Sequence, residues 1–224
     1  VWYTGVIRHS TQASEEGCIP SHPQFVKGKA GSPYAICDYY DVNAYLADDP
    51  QQRMEEFESL IARTHEAGLK VIIDFVPNHV SRDYGKVNPV PGHPVLGSDD
   101  DTSVHWKPEN DFFYYPGQGI KLPTETPAGM EAYSEFPAKA TGNNCFSPCP
   151  GINDWYETVK LNYGVNYLDG SRTDFYPFPS TWLKMRDILL FWAKKGVDGF
   201  RCDMACEVPL EFWQETIAGL RADY

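Results

Sequence analysis

The chain has 224 residues, of which 42% are hydrophobic and 14% aromatic, so it can bury a core and is too apolar for a disordered segment. Its 31 acidic and 19 basic side chains give a formal net charge of -12, which disfavours nucleic acids and anionic membrane surfaces by repulsion. No apolar run approaches the roughly 20 residues that a membrane-spanning helix requires. We therefore expect a globular protein with no nucleic-acid partner and no membrane-spanning segment.

The first predicted elements are a strand, a loop and a helix. Residues 1–7 predict a buried strand, and residues 8–48 predict a long loop rich in Gly, Pro, Ser and Tyr, a feature that is usually functional in a compact enzyme. Asp49, Pro50 and Gln52 have the spacing of a helix start, and Gly68 supplies a left-handed stop, so we predict a helix over about 50–67. The chain opens on Val1 instead of Met, and we expect a longer parent.

The remaining elements alternate around one long interruption. Lys70 to Val76 is a β-branched run that predicts a strand buried on both faces of a parallel sheet. Residues 80–179 lose all periodicity and predict an inserted irregular lobe. A helical face then runs from Trp182 to Gly196, followed by a short strand from Val197 to Asp203 and a helix over roughly 208–222. This order predicts right-handed βαβ units whose carboxyl strand ends face any active site.

Two of the predicted strands end in polar residues. Asp74, Asn78 and His79 follow the first; taken alone, Asp74 could cap a turn and His79 could be an ordinary loop histidine. Arg201 and Asp203 end the second, two residues apart and therefore on one face. An arginine favours the ionised form of a neighbouring carboxyl, and an ionised, oriented carboxylate is the nucleophile of a retaining glycosidase. Taken alone, this pair could equally be structural.

Together the two segments resemble a known family. Segment 74–79, Asp-Phe-Val-Pro-Asn-His, resembles the first signature of glycoside hydrolase family 13, the α-amylase family, and segment 199–205, Gly-Phe-Arg-Cys-Asp-Met-Ala, resembles the second. The resemblance implies an α/β fold, a partial (β/α)8 TIM barrel with an inserted irregular domain B. Residues 1–79 would hold barrel strands two and three with their helix, residues 80–179 domain B, and residues 180–224 a helix, strand four and a further helix.

The resemblance also implies roles for individual residues. Asp203 would be the catalytic nucleophile and Arg201 its electrostatic partner. His79 would donate a hydrogen bond to the sugar at the cleavage subsite. Tyr34 lies in a segment similar to the family's sugar-stacking loop and would form the platform for that sugar. Asp74 would brace the arrangement through Arg201.

Asn78 and Lys160 bear on a metal ion. Asn78 matches a position that binds calcium in many members, which makes calcium a candidate cofactor, although a single Asn supplies only one of the six to eight or so oxygens that calcium takes. Lys160 stands in a segment similar to the domain-B signature where many members have Asp, and a cation there would oppose calcium. Lysine at this place is similar to the neopullulanase and cyclomaltodextrinase group, in which α-1,4 and α-1,6 bonds are both cleaved.

The family's general acid, a Glu at the end of strand five, and a third carboxylate after strand seven cannot be assigned up to Tyr224. We therefore expect the 224 residues alone to form an open sheet and to be inactive. Glu207 and Glu211 follow the nucleophile closely, and we interpret them as solvated or capping residues.

The function implied is a retaining α-glucoside hydrolase acting on starch-like or maltodextrin substrates. Two alternatives stay open: an α-glucosyl transferase or isomerase of the same family, similar to amylosucrase or trehalose synthase, and a non-catalytic carbohydrate-binding relative. The cysteines, which could form up to three disulfides but are too sparse for a disulfide scaffold, leave the compartment undetermined; they are Cys18, Cys37, Cys145, Cys149, Cys202 and Cys206. Cys145 and Cys149 could pair or bind metal, but no His or second Cys pair stands at zinc-finger spacing.

Overall fold

The structure is a computed structural model that describes residues 1–14, 19–85 and 90–223, so that Cys18 lies outside the described residues. The strands are β1 (Trp2–Tyr3), β2 (Ile7–His9), β3 (Ile36–Val42), β4 (Ile72–Phe75), β5 (His79–Ser81), β6 (Tyr114–Tyr115), β7 (Ala138–Lys139), β8 (Thr158–Lys160), β9 (Val165–Asn166), β10 (Arg172–Thr173) and β11 (Gly199–Cys202). The α-helices are α1 (Arg53–Glu66), α2 (Ser180–Lys194) and α3 (Leu210–Asp223), and short 3-10 helices lie at Ala44–Leu46, Pro50–Gln52 and Ala205–Glu207.

The central sheet is parallel, with the strand order β1-β4-β11. Ile73 and Phe75 of the middle strand share one face and are fully buried, whereas Ile72 on the other face is exposed, so the predicted burial on both faces holds only in part. The register places Asp74 directly beside Arg201, so the polar ends of β4 and β11 lie at the same edge of the sheet. Within the described residues this sheet has three strands and does not close, which confirms the predicted partial barrel.

The prediction of one buried strand over residues 1–7 is wrong. Gly5 has a φ of +68°, which turns the chain between β1 and β2. The second strand leaves the central sheet and pairs antiparallel with β3, with Ile7 opposite Val42. Trp2 is half exposed, and so in part is its register partner Ile72 on the middle strand, because this face of the sheet is not covered. The predicted loop over 8–48 therefore contains most of β2 and the whole of the seven-residue strand β3.

Helix α1 begins close to its predicted start. The Asp49 side chain accepts a hydrogen bond from the Gln51 backbone N–H at 3.0 Å, and the 3-10 turn Pro50–Gln52 leads into the α-helix. The reciprocal capping contact comes from Glu56 instead of Gln52: its carboxylate accepts from the backbone N–H groups of Asp48 and Asp49. Gly68, with a φ of +73°, follows the helix as predicted.

The long connection between β4 and α2 contains three antiparallel strand pairs among its described residues, β5 with β8, β6 with β7, and β9 with β10. A buried ion pair between Arg82 and Glu135, 2.8 Å between nitrogen and oxygen, lies in this region. Arg82 also donates to the Thr141 hydroxyl at 2.7 Å. The predicted irregular lobe thus contains strand pairs and a buried ion pair, while the boundaries at 1–79, 80–179 and 180–224 stay a prediction.

Helices α2 and α3 cover the sheet. Trp192 of α2 is fully buried, and its indole N–H donates to the Tyr39 carbonyl at 2.8 Å, which ties α2 to β3. Phe212 of α3 packs edge-on against Trp182 of α2. None of the described helices has the length and apolar character needed to cross a membrane. This packing fixes the carboxyl ends of β4 and β11, where the candidate site lies.

Candidate active site

Three charged side chains meet at the carboxyl ends of β4 and β11. Arg201 Nη1 donates to Asp74 Oδ1 at 3.2 Å and to Asp203 Oδ1 at 3.0 Å. The Asp203 backbone N–H donates to the Phe75 carbonyl at 2.8 Å, which continues the strand pairing just beyond β11. One guanidinium nitrogen therefore links two carboxylates, each presented by a neighbouring parallel strand.

Burial and charge act in opposite directions on Asp203. Burial raises the pKa of Asp203, and the adjacent Arg201 charge and hydrogen bond partly offset this effect. The net pKa lies above the usual aspartate value. The predicted effect of Arg201 has the right sign, but desolvation outweighs it, so the carboxylate is more basic than an ordinary aspartate.

Two aromatic rings flank the arginine. The Arg201 guanidinium carbon lies 5.6 Å from the ring centroid of Tyr34 and 5.6 Å from that of Trp2, within the range of a cation–π contact. The indole N–H of Trp2 donates to Asp74 Oδ2 at 3.3 Å. Trp2 was not predicted from the sequence, because a tryptophan in an apolar strand is typical of a core, and only the uncovered face of the sheet exposes it.

His79 reaches the same site through Tyr34. Burial and the nearby Lys160 charge lower the pKa of His79 to about 4, and a hydrogen bond to the Tyr34 backbone offsets only part of this effect. The imidazole is therefore neutral near pH 7. Its ring lies 5.3 Å from the Trp155 ring. A chain of contacts thus runs from His79 to Tyr34, Arg201 and Asp203, so the four residues singled out in the sequence come together.

The surroundings of Asn78 do not fit calcium. The side-chain oxygen of Asn78 accepts from the Lys160 ammonium, and its nitrogen donates to the Gly142 carbonyl at 2.9 Å. Calcium takes about six to eight oxygen ligands. Here the Asn78 oxygen already contacts the positive charge of a buried lysine, which would repel a calcium ion. Across the described ranges, no cluster of three or more His, Cys, Asp or Glu side chains could hold a metal ion.

Glu207 is neither a freely solvated nor a capping residue, contrary to the sequence interpretation. Its carboxylate accepts from the Asn144 side chain at 2.7 Å and lies 4.0 Å from the Lys160 ammonium. These partners are distant along the chain and share no pattern with Glu207 in the sequence. Glu211, by contrast, lies in the first turn of α3, where a carboxylate is favourable. The described cysteines are free thiols.

An aspartate held by an arginine at the carboxyl edge of a parallel sheet, beside aromatic rings, is the site expected of a retaining glycoside hydrolase. The comparisons with known proteins agree. Residues 21–217 match the family model described as alpha amylase, catalytic domain, and the chain belongs to this family.

Individual relatives cover the chain well, but the chain covers little of them. Maltase 1 of Drosophila virilis is 30% identical over 166 residues, which are 73% of this chain and 22% of the maltase. The amino acid transporter heavy chain SLC3A1 of Rattus norvegicus is 24% identical over 174 residues, 76% of this chain and 20% of its own length. The crystal structure of an alpha-amylase from Lactobacillus plantarum has a TM-score of 0.55 and 24% identity, covering 100% of this chain and 35% of that one. The chain therefore spans about a fifth to a third of these proteins.

Proposed function

We propose that this protein hydrolyses α-glucosidic bonds in starch-like or maltodextrin substrates with retention of configuration, through a covalent glycosyl intermediate on Asp203. The observation that carries the proposal is the linked pair of carboxylates: Arg201 Nη1 contacts both Asp203 and Asp74. This contact orients the Asp203 carboxylate, while the second carboxylate balances the arginine charge. Membership of the α-amylase family supports the substrate class.

In the proposed first step, an Asp203 oxygen attacks the anomeric carbon and the glycosidic C–O bond breaks. The leaving oxygen takes its proton from a general acid, which the family resemblance places on a fifth barrel strand, beyond the three strands described here. In the second step a water molecule attacks the same carbon, gives its proton to that group, and releases Asp203 and the sugar. Arg201 stabilises the carboxylate that leaves.

Substrate positioning would fall to Tyr34 and His79. The Tyr34 ring packs against the Arg201 guanidinium and would form the platform for a pyranose ring. His79 is neutral because burial and Lys160 lower its pKa to about 4. A neutral imidazole carries one N–H donor and adds no charge to the subsite. That N–H donates to the Tyr34 backbone in this structure, so a sugar hydroxyl would share or replace this contact.

Substitution of the nucleophile tests this proposal. In the complete protein, Asp203→Asn should lower kcat on maltooligosaccharides by about 10³-fold or more, because the covalent path is removed. Binding of the oligosaccharide, measured by calorimetry, should change little. Asp169→Asn is the matched control, since Asp169 pairs with Arg172 at the surface. Activity of Asp203→Asn within tenfold of the wild type would reject Asp203 as the nucleophile.

The product distribution separates hydrolysis from the alternatives. A hydrolase releases reducing sugar from maltooligosaccharides, whereas a transferase or isomerase returns longer or rearranged glucosides. A non-catalytic relative gives neither product but still binds the sugar. The intact contacts between Arg201, Asp203 and Asp74 support catalysis, because a binding role alone does not require an oriented nucleophile.

A further inference from the structure

Lys160 is buried in a place where an ammonium group has few partners. Its side chain is 2% exposed, and burial lowers the pKa of Lys160 to about 8. Its ammonium donates to Asn78 Oδ1 and lies 4.0 Å from the Glu207 carboxylate and 5.7 Å from the Tyr167 ring centroid. Burying an ammonium is unfavourable unless it makes specific contacts, so these contacts point to a specific role.

The first consequence concerns the side-chain amide of Asn78. An ammonium can only donate, so the Asn78 atom that faces Lys160 must be the oxygen. A carbonyl can only accept, so the atom that faces Gly142 O, 2.9 Å away, must be the nitrogen. The two contacts agree, and together they exclude the flipped orientation of the amide.

The second consequence concerns the ring of His79. The Asn78 nitrogen lies 3.1 Å from His79 Nδ1. Because this nitrogen carries only donor hydrogens, Nδ1 must accept and cannot carry the proton. The neutral imidazole therefore holds its proton on Nε2, and this is the N–H that donates to the Tyr34 backbone.

Gly142 allows its carbonyl to reach Asn78. A Cβ on Gly142 would lie 2.4 Å from the Thr158 hydroxyl oxygen and 2.8 Å from His79 Cβ, which is closer than atoms can approach. Only a residue without a side chain brings this backbone against β5 and β8. The Asn78 amide is thus held at both of its polar atoms, with the Lys160 ammonium at its oxygen and the Gly142 carbonyl at its nitrogen.

We propose that Lys160 is a positioning residue, which acts with the Gly142 carbonyl to orient the Asn78 amide so that His79 presents a neutral ring with its proton on Nε2. This inference deepens the proposed function, since it rests on the role of His79 in sugar binding. The titratable groups that face Lys160 are Glu207, Cys206, Tyr167 and His79. The nearby Glu207 and Cys206 side chains raise the pKa of Lys160, against the larger effect of burial.

The first test reverses the polarity of the link. In Asn78→Asp the side chain keeps its size and can still accept from Lys160, which favours its ionised form, but it can no longer donate to His79. Nitrogen NMR of the complete protein labelled on histidine, with the His79 signal assigned from His79→Gln, reads the proton position directly. We expect an unprotonated Nδ1 at pH 7 in the wild type and a protonated Nδ1 in Asn78→Asp. An unprotonated Nδ1 in both proteins would show that Asn78 does not set the proton position of His79.

The second test removes the ammonium. In Lys160→Met the Asn78 oxygen loses its partner and His79 loses a neighbouring positive charge, so His79 should titrate at higher pH and kcat/KM should fall about tenfold. Lys27→Met is the matched control, because Lys27 pairs with Glu157 at a more exposed position and should leave the His79 signals unchanged. Identical His79 titrations in Lys160→Met and the wild type would overturn the role of Lys160.

These readouts separate the inference from the proposed function. The NMR measurements use ligand-free protein and do not depend on turnover. If the His79 signals change as expected but the Asp203→Asn variant stays active, the assignment of Asp203 as nucleophile is rejected and the positioning role of Lys160 is kept. An inactive Asp203→Asn variant with unaltered His79 signals in both Asn78→Asp and Lys160→Met would reject the positioning role alone.

Discussion

His79 and Lys160 are buried bases that lie close to each other. Burial lowers the pKa of His79 to about 4 and that of Lys160 to about 8, and the Lys160 charge adds to the effect on His79. The histidine is thus neutral at pH values well above 4, while the lysine is charged up to about pH 8. Between these two pKa values the site therefore holds a neutral His79 ring next to a charged Lys160 ammonium.

The lowered pKa of His79 predicts a dependence of stability on pH. Between its folded value of about 4 and its unfolded value near 6.5, the unfolded chain binds a proton that the folded chain does not. Stability therefore rises with pH across this window and is lost as pH falls, by an amount on the order of 3 kcal/mol. Urea unfolding of the complete protein should show a shallower pH dependence for His79→Gln than for the wild type. Parallel curves would contradict the low pKa.

At the scale of an element, the segment between β2 and β3 positions Tyr34. Gly31 in this segment has a φ of +68°, and a Cβ there would lie 1.9 Å from the Ser10 carbonyl oxygen. Gly28 has the same φ, but a Cβ there would meet nothing within 4 Å. The two glycines therefore share one backbone requirement and differ in the space around them.

This difference predicts unequal effects of alanine. Gly28→Ala should cost about 1 kcal/mol of stability, since it introduces only the strain of a left-handed residue. Gly31→Ala adds a backbone clash and should cost about 3 kcal/mol or more. The clash should shift the backbone that leads from Gly31 to Tyr34. We therefore expect kcat/KM to fall in Gly31→Ala but not in Gly28→Ala. Thermal unfolding and steady-state kinetics of both variants check this, and equal losses would show that the Ser10 contact is unimportant.

At the scale of the whole molecule, the open sheet leaves apolar surface uncovered. Trp2 on the edge strand β1 is 52% exposed, and a groove of about 860 Å³ runs beside β1 and α1, lined in part by Phe57 and Leu60. This groove does not include Asp203 or Arg201, so we assign it no part in the chemistry. Unpaired strand edges and exposed apolar side chains favour association between chains.

We therefore expect the 224-residue chain, expressed by itself, to self-associate. Sedimentation velocity should show species larger than the 25.3 kDa monomer. Trp2→Ser should reduce the association if it involves the β1 edge, whereas Leu183→Ser, which removes an exposed side chain from α2, should not. A monodisperse monomer would contradict the expectation, and a larger effect of Leu183→Ser would place the association on α2.

The sequence predicted the elements whose signals are local. The β-branched run at 70–76 lies between Gly68 and polar residues, and the start of α1 was predicted from Asp49 and Pro50, whose contacts the structure contains. Trp2 and the partners of Glu207 could not be predicted in this way. The exposure of Trp2 depends on which face of the sheet is left uncovered, and Glu207 contacts Asn144, 63 residues away, through tertiary packing.

The contact of Arg201 with Asp74 lies between these cases. The two residues end successive parallel strands, so the sequence places both at one edge of the sheet, but only the register of β4 and β11 makes them direct neighbours. The burial of Asp203 could likewise be predicted only in part. The raised pKa of Asp203 follows from the packing around it, and the sequence showed only the opposing charge of Arg201.

The proposed mechanism requires a covalent bond between Asp203 and the sugar, and this bond can be trapped. The complete protein would be incubated with a fluorinated α-glucosyl fluoride that forms the intermediate quickly and hydrolyses it slowly, then digested and examined by mass spectrometry. We predict one added glycosyl group on the peptide that contains Asp203, and none in Asp203→Asn. A glycosyl group on another residue, or turnover of the substrate by Asp203→Asn, would contradict the account.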